Sequence, residues 1–158
     1  MPKYRLLTKE ELQGLEKEFV EYLVVNGIAA EDWEKMKIET PNSAQRIVDL
    51  FSDVVFEKIL RNVQFLEIHQ KLSIRTFRCG AEEIEMITME AEDEDTDFRD
   101  PSFIANAMVN PPKDLLIYKT KKPYTSNREE EIFKMIENGC LVSNGNLHKT
   151  LTIAESQI

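Results

Sequence analysis

The sequence predicts an α+β protein: an N-terminal helical layer of about three helices packed on a mostly antiparallel sheet of four or five strands, with one C-terminal helix. Three observations carry this. Apolar residues recur every three to four positions up to about Leu60. They then alternate at period two through three short segments with short connections. Helical spacing returns after Ser126.

The first helix opens on a capping box, Thr8 with Glu11, and Leu7 with Leu12 supplies a hydrophobic staple. Leu12, Leu15, Phe19, Tyr22 and Leu23 share one face, and Asn26-Gly27 is the stop. A second helix covers Ala30 to Ile38, with Trp33 and Met36 inward. Thr40 caps a third helix with Pro41 at its first position, running to Leu60 with a candidate break near Ser52-Asp53. Val63–Gln70, Ser73–Cys79 and Ile84–Glu90 read as a meander of strands. An acidic loop, residues 90–100, follows and is expected to be solvated and mobile. Pro101 to Met108 makes one or two helical turns, and Asn110-Pro111-Pro112 ends them. Leu115–Thr120 is a fourth strand. Ser126 and Glu129 form a second capping box for a helix that stops at Gly139. Cys140–Ser143, an Asn144-Gly145 turn and Leu147–Ile153 read as a terminal hairpin, with a short helix as the alternative for the last piece.

The chain has 158 residues, enough for one ordinary domain that needs no disulfide or metal to hold it. No repeat or Gly/Ser linker marks a boundary, so residues 1–158 are read as a single domain. The longest apolar runs are four residues, far short of the roughly 20 that span a membrane. Met1 to Arg5 leads into a capped helix instead of an apolar signal core, and two lone cysteines make no disulfide framework. A reducing cytoplasm is the expected compartment.

The net charge of −9 argues against nucleic-acid binding, which needs a positive surface. Residues 90–100 alone carry −6, while Lys113 to Arg128 is basic. The acidic run places Asp93, Asp95 and Asp97 at the first three ligand positions of a calcium loop. Phe98 and Ile104 then stand where the turn glycine and bidentate glutamate belong, so calcium is not expected. The functional reading of Glu92, Asp93, Glu94, Asp95 and Asp97 is a docking surface for a basic partner.

The third helix carries a polar stripe, Arg46, Asp49, Asp53, Glu57 and Arg61, whose bland reading is a solvated face. Its sharper reading is a carboxylate cluster in which Asp49, Asp53 and Glu57 hold a divalent cation, with Arg61 steering an anion. Oxygen ligands favour magnesium, manganese or calcium. His69, Cys79, Cys140 and His148 are the only soft metal ligands. His69 and Cys79 are candidate neighbours across the first strand pair, although buried cysteine and surface histidine are the default. Phe65, Phe77, Arg75 and Arg78 could stack RNA on the sheet, but core aromatics explain them more simply. No phosphate loop, nucleophile elbow, His-Glu-x-x-His or Cys-x-x-Cys occurs.

Several strings are familiar: Met1 to Thr8, Glu16-Lys17-Glu18-Phe19-Val20, Leu50 to Phe56, and Met135 through Cys140. Together they resemble a family of small bacterial proteins classed as a domain of unknown function, over nearly the whole chain. The resemblance implies a bacterial cytoplasmic protein and no particular reaction, cofactor or partner. The leading expectation is thus a non-enzymatic module that binds another cytoplasmic protein, with a homodimer as one form of it. The alternative is a small metal-dependent hydrolase or nucleotide-handling enzyme built on the carboxylate stripe.

Overall fold

A computed structural model describes residues 1–112 and 114–157; Lys113 of the basic stretch lies outside the described residues. The chain divides into two compact units, Met1–Arg61 and Asn62–Ile158.

The first unit is helical: α1 (Lys9–Gly14), α2 (Glu16–Val25), α3 (Ala30–Glu39) and α4 (Pro41–Arg61). Thr8 accepts the backbone N–H of Glu11, and the Glu11 carboxylate accepts the N–H of Thr8, the reciprocal cap the sequence predicts. The predicted first helix is divided in two. Leu15 leaves helical geometry at φ −111° and ψ 21°, directly after Gly14, a poor helix former. Gly27, at φ +74°, takes the left-handed turn after α2 that other residues rarely adopt. No break interrupts α4. Ser52 donates its hydroxyl to Val48 O at 2.9 Å, so the polar group is satisfied within the helix. Phe19, Leu23 and Phe51 form the buried centre, ringed by Leu7, Leu12, Leu15, Trp33, Ile47 and Val55. Burial of each such large side chain contributes about 1.5–3 kcal/mol.

The second unit contains β1 (Phe65–His69), β2 (Ser73–Cys79), β3 (Glu83–Glu90), α5 (Pro101–Val109), β4 (Leu116–Pro123), α6 (Arg128–Glu137), β5 (Leu141–Ser143) and α7 (Asn146–Ser156). The five strands are ordered β4-β3-β2-β1-β5, and every neighbouring pair is antiparallel. The α+β class and the antiparallel sheet match the sequence reading. The placement of helices does not: α5 and α6 lie between strands and α7 follows the last one, where one C-terminal helix was expected. The terminal hairpin is also corrected. β5 pairs with β1, and Leu147–Ile153 lies within α7. Asn-Gly is a hairpin signal, but here Gly145 (φ +83°) leads into a helix whose Leu147, Leu151 and Ala154 recur at helical spacing. Asn127, not Ser126, caps α6; its carboxamide oxygen accepts the N–H groups of Glu129 and Glu130.

Strand register sets the two sheet faces. Ile74, Thr76, Ile87 and Met89 share one, because Ile74 pairs with Met89 and Thr76 with Ile87. Ile74, Ile87, Met89, Ala91, Phe98 and Leu151 pack as one buried cluster. At one end of the sheet, the Arg128 guanidinium donates to the carbonyls of Val63 (2.6 Å), Cys79 (3.1 Å) and Gly80 (3.0 Å). The edge strands are β4, which bears Lys119, Lys121 and Lys122 and ends on Pro123, and the three-residue β5. Among the described residues no helix is long and apolar enough to cross a membrane.

Candidate functional site

The carboxylate stripe of α4 is occupied by the chain's own N-terminal segment. Asp53 accepts the backbone N–H groups of Lys3 (2.7 Å) and Tyr4 (3.4 Å). Glu57 accepts the Tyr4 hydroxyl and lies 3.8 Å from the Lys3 ammonium. Asp49 accepts from the Gln45 side chain at 3.0 Å. The Arg5 guanidinium lies 4.7 Å from the centre of the Phe56 ring, a cation–π arrangement. Arg61, the predicted anion guide, is exposed at the end of the helix. Among the described residues, no three His, Cys, Asp or Glu side chains come together where they could hold a metal ion, so Asp49, Asp53 and Glu57 are not gathered as ligands.

The soft ligands do not converge. His69 pairs with Ile74, at the opposite end of the β1–β2 ladder from Cys79, whose N–H reaches Gln64 O. His69 contacts Phe98 O (3.1 Å) and Glu67 (2.9 Å). Both cysteines are free and buried, as the default reading had it, and burial pushes the Cys79 thiol up to about 11. The aromatic–arginine set is split as well. Phe65 pairs with Arg78 while Leu66 pairs with Phe77, so Phe65 and Phe77 stand on opposite faces of the sheet.

The acidic loop has a defined anchorage. Ala91, Thr96 and Phe98 are buried, while Glu92, Asp93, Glu94 and Asp95 between them are exposed. The Asp114 carboxylate accepts the N–H groups of Glu92 (2.9 Å) and Asp93 (3.0 Å), and these bonds hold it below the usual carboxylate range. Asp97 is different: hydrogen bonds from Arg99 hold it down to about 2. Glu92 to Asp95 form no ion pair among the described residues.

Two features beneath α7 were not read from the sequence. The first is a buried polar line. Thr76 Oγ1 lies 2.8 Å from His148 Nδ1, and His148 Nε2 lies 3.1 Å from a Glu85 oxygen. The carboxylate fixes the tautomer: Nε2–H donates to Glu85, and Nδ1 accepts the threonine hydroxyl. Glu85 also faces Arg78 (3.4 Å) and Lys121 (3.7 Å) and so acts as a charge hub. Burial raises its carboxyl, but the His148 hydrogen bond and the Arg78 charge outweigh that and leave it below its ordinary 4.5. Hydroxyl, imidazole and carboxylate in line is the order that activates a nucleophile. Here Thr76 is fully buried and His148 is 2% exposed, so no substrate reaches the hydroxyl and the line is a structural peg. His148 is therefore not the ordinary surface histidine the sequence suggested.

The second feature is an apolar cavity of about 240 Å³. Ile104, Ala107 and Met108 of α5 line one wall, and Leu147, Leu151 and Ala154 of α7 another. Met89 and Ile117 form the floor, with Phe98, Pro111 and Leu115 at the side. Thr150, the polar residue among the described lining residues, donates its hydroxyl to Asn146 O (3.0 Å) within α7.

No curated protein and no solved structure matches the chain. One family model does, covering residues 1–155 and described as a family of unknown function, DUF6495. Its span agrees with the resemblance carried by the strings at Met1 to Thr8, Leu50 to Phe56 and Met135 to Cys140, and the chain belongs to this family.

Proposed function

We propose that the chain is a non-enzymatic interaction module of the bacterial cytoplasm that docks a basic segment of another protein on Glu92, Asp93, Glu94, Asp95 and Asp97. The observation that carries this reading is the run of four exposed carboxylates, outside any ion pair among the described residues, on a loop held at both ends by buried side chains. Held backbone reduces the ordering cost of binding. Unpaired like charge steers a basic partner and rejects acidic ones. The competing reading, metal-assisted hydrolysis on Asp49, Asp53 and Glu57, gains no comparable support, because Asp53 and Glu57 already accept hydrogen bonds from Lys3 and Tyr4.

The test is a tagged pull-down from bacterial lysate, washed at low and then high salt. The comparison is a variant carrying Asp93→Asn, Glu94→Gln and Asp95→Asn. A stoichiometric partner retained by the wild type at low salt, released at high salt and missed by the variant is the expected result. Equal capture by both proteins at either salt would remove the loop from the interface.

A further inference from the structure

Among the described residues, the side chains that line the cavity beneath α5 and α7 are apolar except Thr150, whose hydroxyl is used within α7, so the lining suits hydrocarbon. At about 240 Å³ it is larger than an apolar cavity of about 150 Å³, which already admits a benzene-sized molecule. The mouth is marked by Met108, which lines the cavity and is 54% exposed. Methionine adapts to differently shaped apolar partners.

The rim adjoins the acidic loop, with Arg99 directly after the lining residue Phe98. Leu115, in the cavity wall, directly follows Asp114, the carboxylate that holds the backbone of Glu92 and Asp93. Phe98, also in the wall, is the buried anchor that ends the acidic loop. The apolar hole and the unpaired carboxylates are thus built from one stretch of chain. A peptide with an apolar anchor beside lysine or arginine matches both halves.

We infer that the cavity is the anchor pocket of the docking surface, and that it takes one bulky apolar side chain, of leucine or phenylalanine size, from a basic amphipathic segment whose cations lie on Glu92–Asp95. This rests on the acidic-loop reading and adds to it the second half of the recognition.

The test uses the full chain and three synthetic helical peptides followed by fluorescence anisotropy: one of leucine and lysine, one with its leucines replaced by alanine, and one with its lysines replaced by glutamate. Two variants, Ala107→Leu and Ala154→Leu, fill the cavity from either helix, and circular dichroism checks their folding. The leucine–lysine peptide binds in a salt-sensitive way. The alanine peptide, or either filled variant, binds roughly ten- to hundred-fold more weakly, as expected for loss of one buried large side chain. The glutamate peptide does not bind. Equal binding of the leucine and alanine peptides overturns the anchor pocket while leaving the acidic loop standing. Leucine–lysine binding unchanged by neutralising residues 93–95 overturns the acidic-loop reading itself. Dimerisation of the free chain that the filled variants abolish would assign the pocket to a second copy. Uptake of 1-octanol with no peptide bound would assign it to a small ligand. Either result overturns the inference.

Discussion

His148 shows how one side chain can fix the position of a helix. It is almost fully buried, yet both ring nitrogens have partners: Thr76 on one side and Glu85 on the other. Removing one partner from a buried polar group costs more than the mean value of a hydrogen bond, because the remaining group stays desolvated. Glu85 brings a pH dependence. Its folded carboxyl lies below 4.5, so the stability it provides is complete above the unfolded value and is lost as pH falls through the folded one. Glu85→Gln is expected to cost about 1.5–3 kcal/mol at neutral pH, and the gap from wild type should shrink as pH falls below the unfolded value of 4.5. Urea titrations at neutral and acidic pH measure it; a gap independent of pH would show that Glu85 does not act through its charge. None of this was legible in the sequence. The partners of His148 are 72 and 63 positions away, and a lone histidine on a helix names neither.

At the scale of elements, local signals were read well where the chemistry is local. The Thr8–Glu11 box, Pro41 at the start of α4, the three meander strands and the turns after Pro101 all stand where residues within a few positions of each other dictate them. The errors fall where one signal serves two structures. Asn144-Gly145 can close a hairpin or open a helix, and only packing decides. Gly145 combines φ +83° with a missing side chain whose Cβ would stand 2.5 Å from the Phe65 ring. Gly145→Ala therefore combines backbone strain with a steric clash and should destabilise by about 2–4 kcal/mol, read as a fall in the denaturant midpoint. A midpoint within error of wild type would mean that the ring moves aside freely. The acidic loop is a second instance. Its composition says "solvated", which holds for Glu92 to Asp95, but alternation with Ala91, Thr96 and Phe98 ties the segment into the core.

For the molecule as a whole, the charge of −9 is concentrated where the proposed partner binds. Such concentration has a stability cost, because unpaired carboxylates repel one another when the loop is held in place. Salt screens that repulsion. The wild type should therefore gain thermal stability as sodium chloride is added, whereas the variant neutralised at Asp93, Glu94 and Asp95 should start higher, by up to about 0.5 kcal/mol, and gain less. Parallel salt responses in a melting-temperature series would show that the loop charges do not strain the fold. The overall class was legible because period and composition are global properties of the sequence. The cavity was not, because its walls come from α5, α7 and the sheet, and a void is recorded in no single residue.

The lateral margins of the sheet govern how the protein behaves among its own copies. β4 carries Lys119, Lys121 and Lys122 and ends on a residue without an N–H, while β5 extends only three residues. Two molecules aligned margin to margin along β4 would set lysine against lysine, and β5 is too short to template a ladder. Fibril growth by strand addition is thus opposed at both sides of the sheet. The chain can then accumulate, with its acidic loop exposed, without its sheets becoming adhesive.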